Sequence, residues 1–263
     1  MANNYWRERS KPYEPGQVAP FKVSRSKIEL FMQCPRCFWL DVRLKITRPS
    51  TPPFNINKAI DELFKKEFDV YRAKGEPHPI MLKNKVKAVP FQHKDLDTWR
   101  ENFVGVVHLH EPTNLHVFGA VDDVWVDKDG KLIVVDYKAT AKDKPVTALG
   151  AEGGWQDMYR RQMEIYQWLL RQNSFEVSDT GYFVYATGRT DRDGFNNMIE
   201  FETHIIPHTG KSDWVEDILK KMKKVMDSEK MPAVGKAAMG GDCEYCAYAK
   251  ARTELTLKAI NKK

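Results

Sequence analysis

Four cysteines constrain this chain more than any other feature. They stand in two pairs, CPRC at 34–37 and CEYC at 243–246, near opposite ends of 263 residues, and there is no fifth. Two C-x-x-C pairs with none to spare form the donor pattern of a metal site. Thiols kept for metal imply a reducing compartment, so a cytoplasmic location is expected. Four thiolates suit Zn²⁺ or an iron–sulfur cluster, and spacing does not choose between them. Two local disulfides or four inert buried thiols are the plainer alternative. If one centre takes all four sulfurs, both ends of the chain must reach one place, and almost everything between closes as a loop.

The rest of the sequence is that of a globular chain. Hydrophobic residues make up 42% and charged residues 30%, enough to bury a core. No apolar run approaches the roughly 18 residues that span a bilayer. The first residues, MANNYWRERSKPYEP, have no apolar segment behind their charges, so neither a membrane span nor a signal peptide is expected. A net charge of +6 favours an anionic partner, of which nucleic acid is the commonest. Residues 1–23 carry Pro12, Pro15 and Pro20 and read as a polar, extended arm; 24–263 read as one domain. Ser24 and Ser26 offer caps for a short helix over 27–32. RPSTPPFN, 48–55, reads as a linker. Ile56, Ile60, Leu63, Phe64, Phe68 and Tyr71 recur at helical spacing and predict a helix over 55–73. Residues 75–93 read as a loop and 96–102 as a short helix. A β-rich stretch covers 115–139, followed by a helix over 155–172, strands over 181–187 and 198–206, a Lys-rich helix over 213–229 and a short helix after CEYC. This order predicts an α/β fold with a mixed sheet.

The β-rich stretch carries the chemistry. KDG, 128–130, is a hairpin signal, and a three-residue loop puts Gly130 where a positive φ is needed. Asp127 then faces Lys131, which sets Asp122 across from Asp136, with Lys138 on the Asp136 face. A two-residue turn at Asp129–Gly130 would instead bring Asp123 opposite Asp136, so Asp123 stays the alternative ligand. Acids at strand ends are ordinarily solvated. Asp136, however, sits in LIVVDYKA, a run that reads as buried on both faces, and a buried carboxylate needs a partner. Opposed carboxylates repel unless a cation lies between them. Hard divalent ions such as Mg²⁺ or Mn²⁺ take oxygen ligands of this kind, and a lysine beside such an ion makes a hydrolytic site.

GAVDD (119–123), VVDYKAT (134–140) and QMEIY (162–166) resemble, in order and spacing, the motifs of RecB-like nucleases in the PD-(D/E)XK superfamily. In architecture the chain resembles the CRISPR-associated RecB-like exonucleases and AddB-type nuclease domains, over roughly 24–250. The resemblance implies a restriction-endonuclease-like central mixed sheet flanked by helices, and Mg²⁺- or Mn²⁺-dependent hydrolysis of DNA phosphodiester bonds, in repair, recombination or phage- and CRISPR-related processing. It implies that Asp122 and Asp136 are the metal-binding acids and that the Tyr137 carbonyl is a further ligand. Lys138 would position the attacking water and support charge on the phosphate. Gln162 and Tyr166 would brace the site and touch DNA. Single strands or DNA ends are the implied substrates, and a helicase or recombination partner is common among such proteins. Relatives with a 4Fe–4S cluster take one upstream and three downstream cysteines; the split of Cys34 and Cys37 against Cys243 and Cys246 departs from that. The resemblance favours 4Fe–4S, with Zn²⁺ the alternative, in a structural role shielded by Phe38, Trp39, Tyr245 and Tyr248.

There is one further departure. Many of these nucleases carry a metal-binding His on the helix before the hairpin, and INKAIDELFKKEFD has none. Asp61 falls near the place, with Glu62 and Glu67 as alternatives, and an acid keeps a hard-metal site feasible. The missing His leaves room for a second function, a catalytically inactive nucleic-acid-binding or scaffolding module on the same fold. A third, a zinc-stapled protein adaptor, leaves the DYK strand unexplained. His108, His110 and His116 do not form a zinc pattern. Arg160, Arg161 and the stripe of Lys220, Lys221, Lys223 and Lys224 suit phosphate contacts, though such charge is usually only solvated.

Overall fold

The computed structural model describes residues 11–50, 52, 54–237 and 240–261. Ser24 ends the first strand, β1 (Phe21–Ser24), and starts the first helix, α1 (Arg25–Gln33). Its hydroxyl accepts the Lys27 amide at 3.3 Å, serving a donor that has no partner inside the helix. Cys34 does the same with sulfur: its Sγ accepts the Cys37 amide at 3.4 Å. That contact opens α2 (Pro35–Leu44), with proline in the first turn where no N–H is needed. Of the arm expected over 1–23, residues 1–10 lie outside the described residues. The remainder is tied down: Tyr13 is buried, its amide on the Val42 carbonyl and its hydroxyl 2.6 Å from Asp227. Of the linker over 48–55, residues 51 and 53 lie outside the described residues.

The predicted helix over 55–73 is α3 (Asn55–Lys74), ended by Gly75 in the left-handed region. The segment read as a loop holds two short elements, α4 (Pro79–Lys83) and β2 (Ala88–Pro90). They are too short to show a period and are made by what they pack on: Met81, Val86 and Ala88 enter a core with Phe68 and Trp125. Then follow α5 (Leu96–Arg100), β3 (Val106–His110), β4 (Leu115–Gly119), β5 (Asp123–Asp127), β6 (Leu132–Lys142) and α6 (Asp157–Gln172). The chain continues through β7 (Thr180–Arg189), β8 (Phe201–Thr209) and α7 (Trp214–Asp227). The tail is α8 (Glu244–Ile260), a longer helix than the short one expected, and none of its residues is buried.

Five strands in the order β2-β5-β6-β7-β8 form a mixed sheet in which only β6 and β7 are parallel. A parallel pair needs a crossover, and α6 supplies it. A second sheet of three strands, β1-β4-β3, stands beside it. Alternate residues of β6 enter two cores. Val134 joins Met163 and Leu169 of α6, whereas Ile133, Val135 and Tyr137 join Phe68 of α3 and Met81 of α4. Cover on both faces is why the strand reads as an unbroken apolar run. This is the restriction-endonuclease-like arrangement that the resemblance implies, a mixed sheet between helices. Among the described residues, no helix is long and apolar enough to cross a membrane.

Candidate active site

The β5–β6 ladder pairs Asp123 with Val135 and Val126 with Leu132, the register of the three-residue loop, with Gly130 at φ +83°. Asp122 therefore comes just before β5, at the end of the ladder. Its Oδ2 accepts the Tyr137 amide at 2.9 Å. Asp123, one residue on, is fully buried and saturated. Its Oδ1 takes Arg72 at 2.5 Å, Arg100 at 2.8 Å and the Val124 amide at 2.8 Å, and its Oδ2 takes the Tyr137 hydroxyl at 2.8 Å. A carboxylate so engaged belongs to a structural ion cluster, which speaks for Asp122 over Asp123 as the acid open to a ligand.

Asp136 has no exposed surface at all. Gln162, from the middle of α6, donates to its Oδ1 at 2.8 Å and also to the Tyr166 hydroxyl at 3.2 Å. The other oxygen, Oδ2, is ion-paired with the Lys138 ammonium and has no further partner among the described residues. Burial raises the Asp136 carboxyl above the usual carboxylate range; Lys138 pulls it down and the charge of Asp122 pushes it further up. For Lys138 burial works against the charge, and the Asp136 and Asp122 carboxylates more than offset it. The lysine stays charged, its Nζ 4.7 Å from the centre of the Tyr159 ring. Gly119 brings the first motif against the third. A Cβ there would come within 2.7 Å of the Tyr166 ring, so the ring that receives Gln162 needs glycine beneath it.

Lys138 opens on a cleft of about 250 Å³ lined by Phe54, Asn57, Asp61, Tyr137, Lys138 and Tyr159, among others. Asp61 reaches it from the first turns of α3. Its Oδ2 is 2.7 Å from Lys65, while its Oδ1 is buried without a partner. Burial and the neighbouring charge of Asp122 raise the Asp61 carboxyl. The other two acids considered are engaged elsewhere, Glu62 near Lys58 at 3.7 Å and Glu67 with His78 at 2.8 Å. Gln162 and Tyr166 are both buried, Gln162 between Asp136 and the Tyr166 hydroxyl. Arg160 and Arg161 are spent on Asp157 and Glu29. Lys223 is spent on Asp227 and Tyr13, and His110 on Thr113 and Glu216.

Sequence reasoning passed over three arginines. Arg72 and Arg100 hold Asp123, and the charge of Arg25, the first residue of α1, acts on Asp136 and Tyr166. No local signal marks them, since an arginine near a helix end is ordinarily solvated.

The donor set fits a hard divalent cation. One carboxylate oxygen, Asp61 Oδ1, is buried without a partner, and Asp136 Oδ2 is engaged by the Lys138 ammonium alone; a buried acceptor left unpaired is costly unless something else engages it. All the candidate ligands are oxygens. Convergence is closer at the cysteines. Among the described residues, Cys34, Cys37, Cys243 and Cys246 are the one group of three or more ligand-type side chains whose ligand atoms all lie within 4.8 Å of one another. They are free thiols. Their shortest separations, 3.6, 3.7 and 3.8 Å, are far from the roughly 2.05 Å of a disulfide bond. The expected aromatic shield is not formed by Phe38 or Trp39: Phe38 packs in the main core and Trp39 donates to the Ser228 carbonyl; Tyr245 lies under the Arg48 guanidinium at 4.5 Å, and Tyr248 is exposed.

A family model for the PD-(D/E)XK nuclease superfamily matches residues 56–251, the greater part of the chain and all three motifs. No curated protein matches it.

Proposed function

The chain belongs to the PD-(D/E)XK nuclease superfamily, and from that premise we propose that it is a Mg²⁺- or Mn²⁺-dependent deoxyribonuclease of the RecB-like kind. One observation carries this reading. A carboxylate buried to zero exposure, Asp136, keeps one oxygen with no partner but the Lys138 ammonium, and Lys138 lines a cleft that Asp61 also lines. Nothing in packing requires an acid in the middle of LIVVDYKA, and the interior makes it costly.

Asp122, Asp136 and Asp61 would hold the ion, together with the Tyr137 carbonyl. A strand residue turns its N–H and C=O toward the same neighbour, and the Tyr137 amide is already directed at Asp122 beyond the end of β5. A divalent ion bound there supplies positive charge to the scissile phosphate and lowers the pKa of water. Lys138 orients the attacking water and neutralises the charge that grows on the phosphate. Gln162 ties down Asp136 Oδ1 and so leaves Oδ2 to Lys138. Tyr166 fixes Gln162. Cleavage would leave 5′-phosphate and 3′-hydroxyl ends, as the superfamily resemblance implies, on DNA ends or single strands handled in repair, recombination or phage- and CRISPR-related processing in the cytoplasm.

The test is cleavage of labelled linear and circular DNA, single- and double-stranded, with Mg²⁺ or Mn²⁺. Wild type should cut. EDTA should abolish cutting, and Lys138→Ala should lower it by about 10²–10³-fold, the usual cost of removing one donor at a developing charge. A folded wild type that cuts nothing sinks the reading. One observation favours a second reading, an inactive nucleic-acid-binding module: the acids already hold partners of their own, Lys65 on Asp61 and Lys138 on Asp136. DNA binding that survives EDTA without cleavage would select it.

A further inference from the structure

We propose that the four cysteines hold a single tetrahedral Zn²⁺ ion and not a 4Fe–4S cluster, with Arg48 as the built-in counter-charge of the site. This goes beyond the nuclease reading and does not depend on it.

The sulfur separations carry the argument. Zinc takes thiolate at about 2.3 Å in a tetrahedron, so four sulfurs on one zinc stand about 3.8 Å apart. The Sγ atoms of Cys34 and Cys246 are 3.8 Å apart, Cys37 and Cys243 3.7 Å, and Cys37 and Cys246 3.6 Å. All four lie within 4.8 Å of one another. A cubane cluster binds each thiolate to a different iron. Its outer sulfurs are then separated by the width of the core in addition to the bonds that carry them. A shell whose sulfurs are already in near contact has no room for four irons and four sulfides, but it matches the edges of a tetrahedron around one ion.

The surroundings are those of thiolates held in fixed orientation. Cys34 Sγ accepts two backbone amides, Cys37 at 3.4 Å and Gly235 at 3.2 Å. The second comes from the other end of the chain, on the loop that leads to Cys243. Gly235 must be glycine for this: a Cβ there would fall 2.1 Å from the Gln33 carbonyl and 2.5 Å from Cys34 Cα. Arg48 donates to Cys243 Sγ at 3.4 Å, is held by Gln33 at 2.8 Å and lies over the Tyr245 ring. Zn²⁺ with four thiolates carries a net charge of −2, so a guanidinium touching one sulfur offsets half of it. Outer-shell donors of this kind orient the ligands and tune the ion.

The test uses the full chain from cells supplied with both iron and zinc, purified anaerobically. The expected result is about one zinc per chain, no iron, no acid-labile sulfide and no colour. Exchange with Co²⁺ should give the visible bands of a tetrahedral tetrathiolate, and Cys37→Ser should weaken them. Metal-free protein offered ferrous iron and sulfide under the same conditions should remain without a cluster. Iron in the purified chain, a cluster formed on reconstitution, or four titratable thiols with no metal would each overturn the proposal. These readouts are independent of cleavage, so an inactive protein with one zinc would leave this inference standing while the nuclease reading fails.

Discussion

The acid cleft and the cysteine site stand in opposite relations to the fold. The cleft is held by the fold. Each element that supplies it has a core of its own: α3 packs Phe68 on Trp125, β6 alternates Val134 and Val135 between two cores, and α6 buries Met163 and Leu169. That packing is strong enough to keep an acid at zero exposure where nothing in the interior welcomes it. The cysteine site has little packing of its own. Among the described residues, the apolar company around Cys34, Cys37 and Cys243 is only Leu30, Val234 and Cys246, and α8 buries no residue. Removing the chemistry should therefore leave the cleft region folded and release the tail.

The largest effect is expected at the tail. Structural zinc contributes about 10–16 kcal/mol in peptides that cannot fold without it. In Cys37→Ser, hydrogen exchange should show amides over 234–260 losing protection, while β5, β6 and β7 keep theirs. Equal protection of the tail in mutant and wild type would show that packing, not ligation, holds it. The next effect separates two neighbouring acids. Asp123 answers to two arginines, and removing one partner of a buried ion cluster costs about 3–5 kcal/mol. Asp123→Ala should lose that much in urea unfolding, a change wholly in stability. A loss below about 1 kcal/mol would mean that Arg72 and Arg100 are satisfied by Asp69 alone, which both already touch.

That pair also marks how far the sequence could be read. The hairpin was legible because loop length, a glycine at positive φ and the alternation of β6 all agree on one register. Which aspartate is locked in an ion cluster was not legible. It turns on a single step of the ladder and on Arg72 and Arg100, which lie far from it in the chain and carry no motif. Elements α4 and β2 were missed because they are too short to show a period and exist through contacts with Phe68 and Trp125. The two cysteine pairs announced each other, but the choice of centre depends on sulfur separations that no spacing encodes. Gly119 and Tyr166 were visible as parts of two motifs; that one ring requires the other residue to lack a side chain is a fact of packing.

The smallest expected effect is at Asp61, and it tests whether the cleft needs a third ligand from α3. Its Oδ1 is buried without a partner, and its nearest charged neighbours are Lys65 and Asp122. An acid so placed gains nothing for the fold from its charge. Asp61→Asn should therefore leave stability unchanged within about 0.5 kcal/mol, or raise it by relieving repulsion of Asp122. Cleavage should fall about tenfold, with a rise in the Mn²⁺ concentration that gives half-maximal rate, the scale on which loss of one partner weakens a metal site. Asp61→His should recover most of the rate, because imidazole suits Mn²⁺ well enough to replace one oxygen. Unchanged rate and unchanged metal dependence in Asp61→Asn would confine the ligands to the hairpin, and α3 would then serve the cleft only as a wall.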